Sequence, residues 1–233
     1  RLGVPGIPGE AESAHIVRDA LLAERTGVHY HVCHVSSASS VQAIREAKQR
    51  GVHITAEVTP HHLVLTEDDI PGDDALFKMN PPLRSKGDRA MLIAGLLDGT
   101  IDFIATDHAP HEREEKARGF LASPFGIVGL ETAFPLMYTR LVKAGLLTLE
   151  QLVERMSTIP AACFGLPGGV IERGAAADLT LVDLDKEAIV DPVAFYSKSR
   201  NTPFANWRLQ GWPVWTMVDG RVVYDEAKGG IID

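Results

Sequence analysis

Three short β-rich runs constrain this chain more than any other feature: residues 28–35 (VHYHVCHV), 52–58 (VHITAEV) and 101–106 (IDFIAT). Helical periodicity separates them, and the connections are a few residues long. Residues 10–26 carry an apolar stripe at Ile16, Ala20, Leu21 and Ala23, and Gly27 supplies a stop. Hydroxyls at 36–40 offer N-caps for a helix over 41–49, with Val41, Ile44 and Ala47 apolar and Gly51 at its end. A further helix over 85–98 points Leu92, Ile93, Leu96 and Leu97 inward, and Gly99 breaks it. Helix, strand, helix, strand with short links is the rhythm of a parallel sheet.

Each run leads into ionisable groups. The first ends at His34, the second runs into His61-His62, and the third ends in Asp107, followed by His108 and His111. Strand side chains alternate faces, so Ile101, Phe103, Ala105 and Asp107 share one face, and Pro110 forbids further central pairing. In parallel α/β folds, functional groups collect beyond the C-terminal ends of strands. A carboxylate and two histidines there suit a metal or acid–base site. The competing role is an Asp capping the next helix beside two surface histidines. Three strand ends in succession favour the functional rim.

In the first run, His29, His31 and Cys33 lie on one face, and Tyr30, Val32 and His34 on the other. The His29-Tyr30-His31 pair sits early in the strand, away from the rim, and is assigned to packing or local hydrogen bonds. His34 is the better ligand. Catalytic zinc takes three or more protein ligands, and His34 with Asp107 supplies two. No G-x-S-x-G elbow is present, and Cys33 faces away from His34 by parity, which disfavours nucleophilic catalysis. Glycine-rich phosphate loops are absent too.

Elsewhere the pattern predicts an acidic loop over 66–74, a short strand over 75–80 stopped by Pro81-Pro82, and a mobile charged loop over 112–119. A Gly/Pro loop follows over 123–129, then helices over 130–144 and 149–157 and a helical turn at 160–165. Beyond Pro167 short strands take over at 179–182, 214–218 and 221–224, with Asp219-Gly220 as a hairpin signal. This tail reads as a separate small domain. Of 233 residues, 45% are hydrophobic and 23% charged, which fits a soluble globular protein with a sizeable core. The net charge of −8 argues against nucleic acid or an anionic membrane as the main partner. Cys33 and Cys163 are too few for a disulfide framework, and a cytoplasmic, reducing compartment is expected. The start at Arg1-Leu2-Gly3-Val4-Pro5, without methionine, suggests a piece of a longer or processed protein.

Four motifs in order carry a family resemblance: His31-Val32-Cys33-His34-Val35-Ser36, Glu57-Val58-Thr59-Pro60-His61-His62-Leu63, Lys78-Met79-Asn80-Pro81-Pro82-Leu83-Arg84 and Ala105-Thr106-Asp107-His108-Ala109-Pro110-His111. Together they resemble bacterial class I dihydroorotases of the amidohydrolase superfamily. Allantoinase and dihydropyrimidinase share the layout; the Asn-Pro-Pro-Leu-Arg and Asp-His-Ala-Pro-His runs look more like dihydroorotase. The resemblance implies α/β architecture: the C-terminal part of a (β/α)8 TIM-like barrel over 1–166, about strands six to eight, then a small β-rich domain over 167–233. It implies a binuclear zinc site that interconverts N-carbamoyl-L-aspartate and dihydroorotate. His34 and Asp107 match metal ligands, and Asp107 also matches the general base and acid. Asn80, His111 and the Phe125-Gly126 backbone match substrate contacts, while His61 and His62 match loop-ordering positions and His108 has no matched role. The remaining ligands and the residues gripping the substrate carboxylate are expected before residue 1. Expected partners are therefore the small-molecule substrate, the preceding part of the same protein and a second copy in a homodimer. An inactive fragment or homologue serving as a binding partner is the competing class.

Overall fold

The computed structural model describes residues 3–232, so Arg1 and Leu2 of the opening segment lie outside the described residues. Helix α1 (Gly9–Thr26) ends where Gly27 turns left-handed at φ 72° and its N–H closes on the Ala23 carbonyl. Strand β1 (Tyr30–Val32) follows, then α2 (Ala38–Gln49), whose N-cap Ser37 accepts from the Ser40 N–H. Strand β2 (Ile54–Val58) leads directly into the short α3 (Pro60–Val64), with proline at the helix start, where its missing N–H costs nothing. Helix α4 (Lys86–Asp98) opens on a reciprocal capping box between Ser85 and Asp88 and closes at left-handed Gly99. Strand β3 (Phe103–Ile104) completes a parallel sheet in the order β1-β2-β3, with Tyr30 opposite Ile54 and Glu57 opposite Phe103.

The core beneath this sheet follows from period. Val41, Ile44 and Ala47 of α2 are fully buried, and Ile54, Ala56 and Val58 of β2 are buried on the apolar face. Thr55 and Glu57 on the other face are only half-buried. Gly95 of α4 admits close approach: a Cβ there would press on Val41 and on Ile101. Ile101 therefore packs against α4. Leu21 and Leu97, expected inward, are 56% and 45% exposed, since each sits at the margin of its helix's apolar stripe.

Two expectations for the connecting segments are overturned. Residues 75–80 form no strand: Asp74 caps a single tight turn at Ala75–Phe77 by accepting the Leu76 N–H. The charged stretch after His111 is not an irregular loop but two short helices, α5 (Arg113–Lys116) and α6 (Gly119–Ala122), the first opened by Glu112 and Glu115.

The chain divides into two compact units: residues Arg1–Glu131 with Asp191–Ala205, and Thr132–Val190 with Asn206–Asp233. In the second unit, α7 (Ala133–Met137) widens into i→i+5 turns through Val142. Helix α8 (Leu149–Val153) widens likewise before α9 (Ile159–Phe164). An antiparallel sheet follows in the order β4 (Leu179–Ile189), β5 (Arg208–Val218), β6 (Arg221–Asp225) and β7 (Gly230–Ile231). The β5–β6 turn has positive φ at both Asp219 and Gly220, the requirement of a type I′ hairpin. Among the described residues, no helix is long and apolar enough to cross a membrane.

Candidate metal and acid–base site

The ends of β1 and β3 share an unusual backbone. His34 has φ 41° and Asp107 φ 48°, two of four non-glycine residues described with positive φ. Such strain persists only where the surroundings over-determine it, and it clusters at functional sites. The surroundings here are specific. Beyond His34, the Val35 N–H bonds the Glu57 carbonyl at 2.9 Å, and the Ser36 N–H bonds Glu12 Oε1 at 2.9 Å. Around Asp107, the Ala105 N–H bonds the Val58 carbonyl at 3.1 Å and the Ala109 N–H bonds the Ile127 carbonyl at 2.8 Å. Both kinks are thus pinned on their flanks.

Among the described residues, His34 Nδ1 is buried without a hydrogen-bond partner. An orphaned buried polar atom costs about 1–3 kcal/mol unless something binds it. Burial pushes the Asp107 carboxyl up; the His34 ring opposes the shift and the Glu57 carboxylate reinforces it. One orphaned imidazole nitrogen and one carboxylate, both at strained rim positions, fit first-row divalent metals.

A second group lies just inside the rim. His31 shares Nδ1 with Thr55 Oγ1 at 2.8 Å and Nε2 with Glu57 Oε2 at 3.1 Å, and its ring stacks on Phe103 with centroids 5.1 Å apart. His29 also contacts Thr55 Oγ1, at 2.7 Å. The local hydrogen bonds expected of both histidines are present. Yet the ligand atoms of His31, Cys33 and Glu57 lie within 4.8 Å of one another, a nitrogen, sulfur and oxygen set able to hold a metal ion. Cys33 thus stays on the His31 side, as strand parity expects, although β1 stops at Val32 and His34 is left-handed. Burial pushes the Cys33 thiol up, and the Glu57 and Asp107 charges add to this.

His62 and His61 are both buried. His62 meets Thr59 Oγ1 at 2.8 Å through Nδ1 and donates from Nε2 to the Pro81 carbonyl at 3.0 Å, which ties α3 to the Pro81-Pro82 segment. Burial lowers its pKa to about 4 and keeps it neutral. Among the described residues, His61 Nε2 has no hydrogen-bond partner; burial pushes this ring well below its ordinary range, and His62 and His34 add to the shift.

The segment after β3 gathers three of the four predicted substrate-contacting residues, His111, Phe125 and Gly126. His111 donates from Nε2 to the Phe125 carbonyl at 2.7 Å. Gly126 has φ 113°, and a Cβ there would collide with the Ala109 Cβ. The Gly126 N–H bonds the Lys78 carbonyl at 2.9 Å, two residues before the exposed Asn80. His108 Nδ1 accepts from the Gly129 N–H at 3.1 Å, a structural role. His111, Phe125 and Gly126 thus come together, Asn80 is tied to them only through the Lys78 carbonyl nearby, and His34 and Asp107 interact with one another.

Ser199 and Asn201 were not singled out from sequence. Asn201 donates its amide to the Ala109 and Gly126 carbonyls at 3.0 and 3.1 Å, and its Oδ1 receives the His111 N–H at 3.3 Å. Ser199 Oγ receives the same N–H at 3.2 Å. No periodicity marks residues 191–205, so only the fold brings them here.

The Amidohydrolase family model matches residues 4–223. A dihydroorotase of Halalkalibacterium halodurans is 62% identical over 226 residues, covering 97% of this chain and 53% of that protein. One from Geobacillus sp. strain WCH70 is 59% identical over 228 residues, covering 98% and 53%. Among solved structures, an L-hydantoinase (dihydropyrimidinase) from Arthrobacter aurescens matches with a TM-score of 0.89 at 35% identity, over 97% of this chain and 51% of that one. A D-hydantoinase (dihydropyrimidinase) from Thermus sp. gives 0.88 at 30% identity, over 94% and 49%. The chain spans about half the length of these relatives. With the family model covering nearly all of it and the same α/β fold in solved hydantoinases, this chain belongs to the amidohydrolase family.

Proposed function

We propose that this chain is the C-terminal part of a zinc-dependent dihydroorotase, which interconverts N-carbamoyl-L-aspartate and (S)-dihydroorotate in the cytoplasm. The observation that carries this is the roughly 60% identity to dihydroorotases along the whole chain, against 35% to a hydantoinase of the same fold. His34 and Asp107 would hold metal, Asp107 would also move the proton, and Asn80, His111 and the Phe125-Gly126 backbone would meet the substrate. Zinc bound there would supply a water of lowered pKa and a polarised amide carbonyl. Asp107 takes the water proton and delivers it to the departing ring nitrogen; in reverse it takes a proton from the carbamoyl nitrogen. The buried setting that raises its carboxyl brings it toward the range where it can hold that proton.

In this reading residues 1–166 contribute strands six to eight of a (β/α)8 barrel, and 167–233 form most of a small β-rich domain. Two features support a preceding segment. Strands β1 and β3 are the open edges of the parallel sheet, and β4 is an edge of the antiparallel one with Leu181 60% exposed. The preceding segment would supply the remaining metal ligands and the grip on the substrate carboxylate.

The hydantoinase likeness favours a second reading, a cyclic-amide hydrolase acting on another ring. Assay of the full-length protein with dihydroorotate, hydantoin, dihydrouracil and allantoin separates the two. Dihydroorotate is expected to exceed the others in kcat/KM by at least about 100-fold, since a site that pairs a substrate carboxylate strongly rejects rings lacking it. A preference for hydantoin or dihydrouracil would support the second reading, and no turnover of any ring would mark a non-catalytic homologue.

A further inference from the structure

We propose that Lys116, with Lys78 beside it, is a positioning residue that holds the Phe125-Gly126 backbone in its substrate-contacting shape. Both lysines are nearly inaccessible, at 7% and 8% exposure. Lysines are seldom buried unless paired. Among the described residues, neither has a carboxylate within ion-pair distance.

Backbone carbonyls take the place of a counter-ion. Lys116 Nζ donates to the carbonyls of Pro124 and Gly126, each at 3.0 Å, and of Lys78 at 3.3 Å. An ammonium has three donors, and all three are used. Lys78 Nζ donates to the carbonyls of Leu121 at 2.9 Å and Ser123 at 2.7 Å, and lies 4.5 Å from the Phe125 ring centroid. The one carbonyl between these sites, that of Phe125, is taken by His111 Nε2. Every carbonyl from Ser123 to Gly126 is therefore held by a side-chain donor. The cations are set around a turn that Gly126 makes possible through its φ of 113°.

Desolvating two ammoniums side by side is costly. Burial, with Lys78 adding to it and Asp74 opposing, draws the Lys116 pKa down to about 8. A loop needing only to close the chain would not require such an arrangement; a loop presenting backbone groups at fixed positions would. Lys116 lies ten residues from Gly126 on α5, so it acts through the loop and touches no reacting atom.

The proposal rests on the reading that Phe125-Gly126 meets the substrate, and its test separates the two. In the full-length protein, Lys116→Met keeps the side-chain length and removes the donors. Hydrogen exchange at the Gly126 and Val128 amides is expected to accelerate about tenfold or more, and KM for dihydroorotate to rise about tenfold, with kcat within about threefold and metal content unchanged. If this variant fails to fold, Lys78→Met is read by the same two measurements, with the same expectation. Unchanged exchange and KM in a folded variant would overturn the proposal. Faster exchange with unchanged KM would also overturn it, and would locate the failure in the substrate reading. If the wild-type protein turns over no dihydroorotate, exchange still reports whether Lys116 holds the loop.

Discussion

Asp107→Asn in the full-length protein lowers kcat for dihydroorotate by about 10²–10⁴-fold, the usual contribution of a positioned general base or acid. This substitution separates a role for Asp107 in the site from a merely capping one. If the side chain merely capped the following turn, asparagine would serve equally well, since Asn and Asp are comparable N-caps. The backbone is also spared, because asparagine tolerates positive φ about as readily as aspartate, and the 48° at this position adds no new strain. What the amide cannot do is accept and return a proton. Steady-state kinetics with a matched unfolding curve is the measurement. A folded variant with only a few-fold loss would show that Asp107 is not the proton carrier.

Gly126→Ala strikes the other half of the site. Its φ of 113° is closed to residues with a Cβ, and the added methyl would meet the Ala109 Cβ. The strain alone costs about 1–3 kcal/mol. Relief requires the turn to rotate, which breaks the N–H bond to the Lys78 carbonyl and displaces the carbonyl held by Asn201 and Lys116. The expected result is an unfolding free energy, read by urea denaturation, lowered by that amount and a KM for dihydroorotate raised at least about tenfold. Gly145→Ala is the control: its φ is 74°, with no atom near an added Cβ, so only the local backbone term remains. Equal effects at both positions would mean that Gly126 is conformational punctuation and not part of a substrate-facing turn.

The order of helices and strands over 10–58 and 85–104 was legible because it depends on local rules, whereas the turn at 75–77 was not. Period placed Val41, Ile44 and Ala47 in the core, and caps and glycines fixed the helix ends. The rim positions of His34 and Asp107 followed from strand direction. Their backbone kinks did not, because positive φ at non-glycine residues is imposed by tertiary contacts such as Glu12 on Ser36. The shared face of His31 and Cys33 was legible from parity; the approach of Glu57 to both was not, because it comes from the neighbouring strand. Lys116 sits in a charged run that resembles a solvated segment; only folding shows its ammonium enclosed by carbonyls. Asn201 is 92 residues from Ala109, whose carbonyl it holds, and no sequence period spans that distance. The motif resemblance named His111, Phe125 and Gly126, but not the lysine and asparagine that hold them.

In the proposed function, the strained pair at the strand ends, His34 and Asp107, holds metal. Elemental analysis of the purified full-length protein, beside His34→Ala, tests it most directly. Two zinc ions per chain are expected in the wild type, with at least one lost in the variant, because the orphaned Nδ1 and its ring are gone. Two zinc ions retained in a folded His34→Ala protein would contradict the claim.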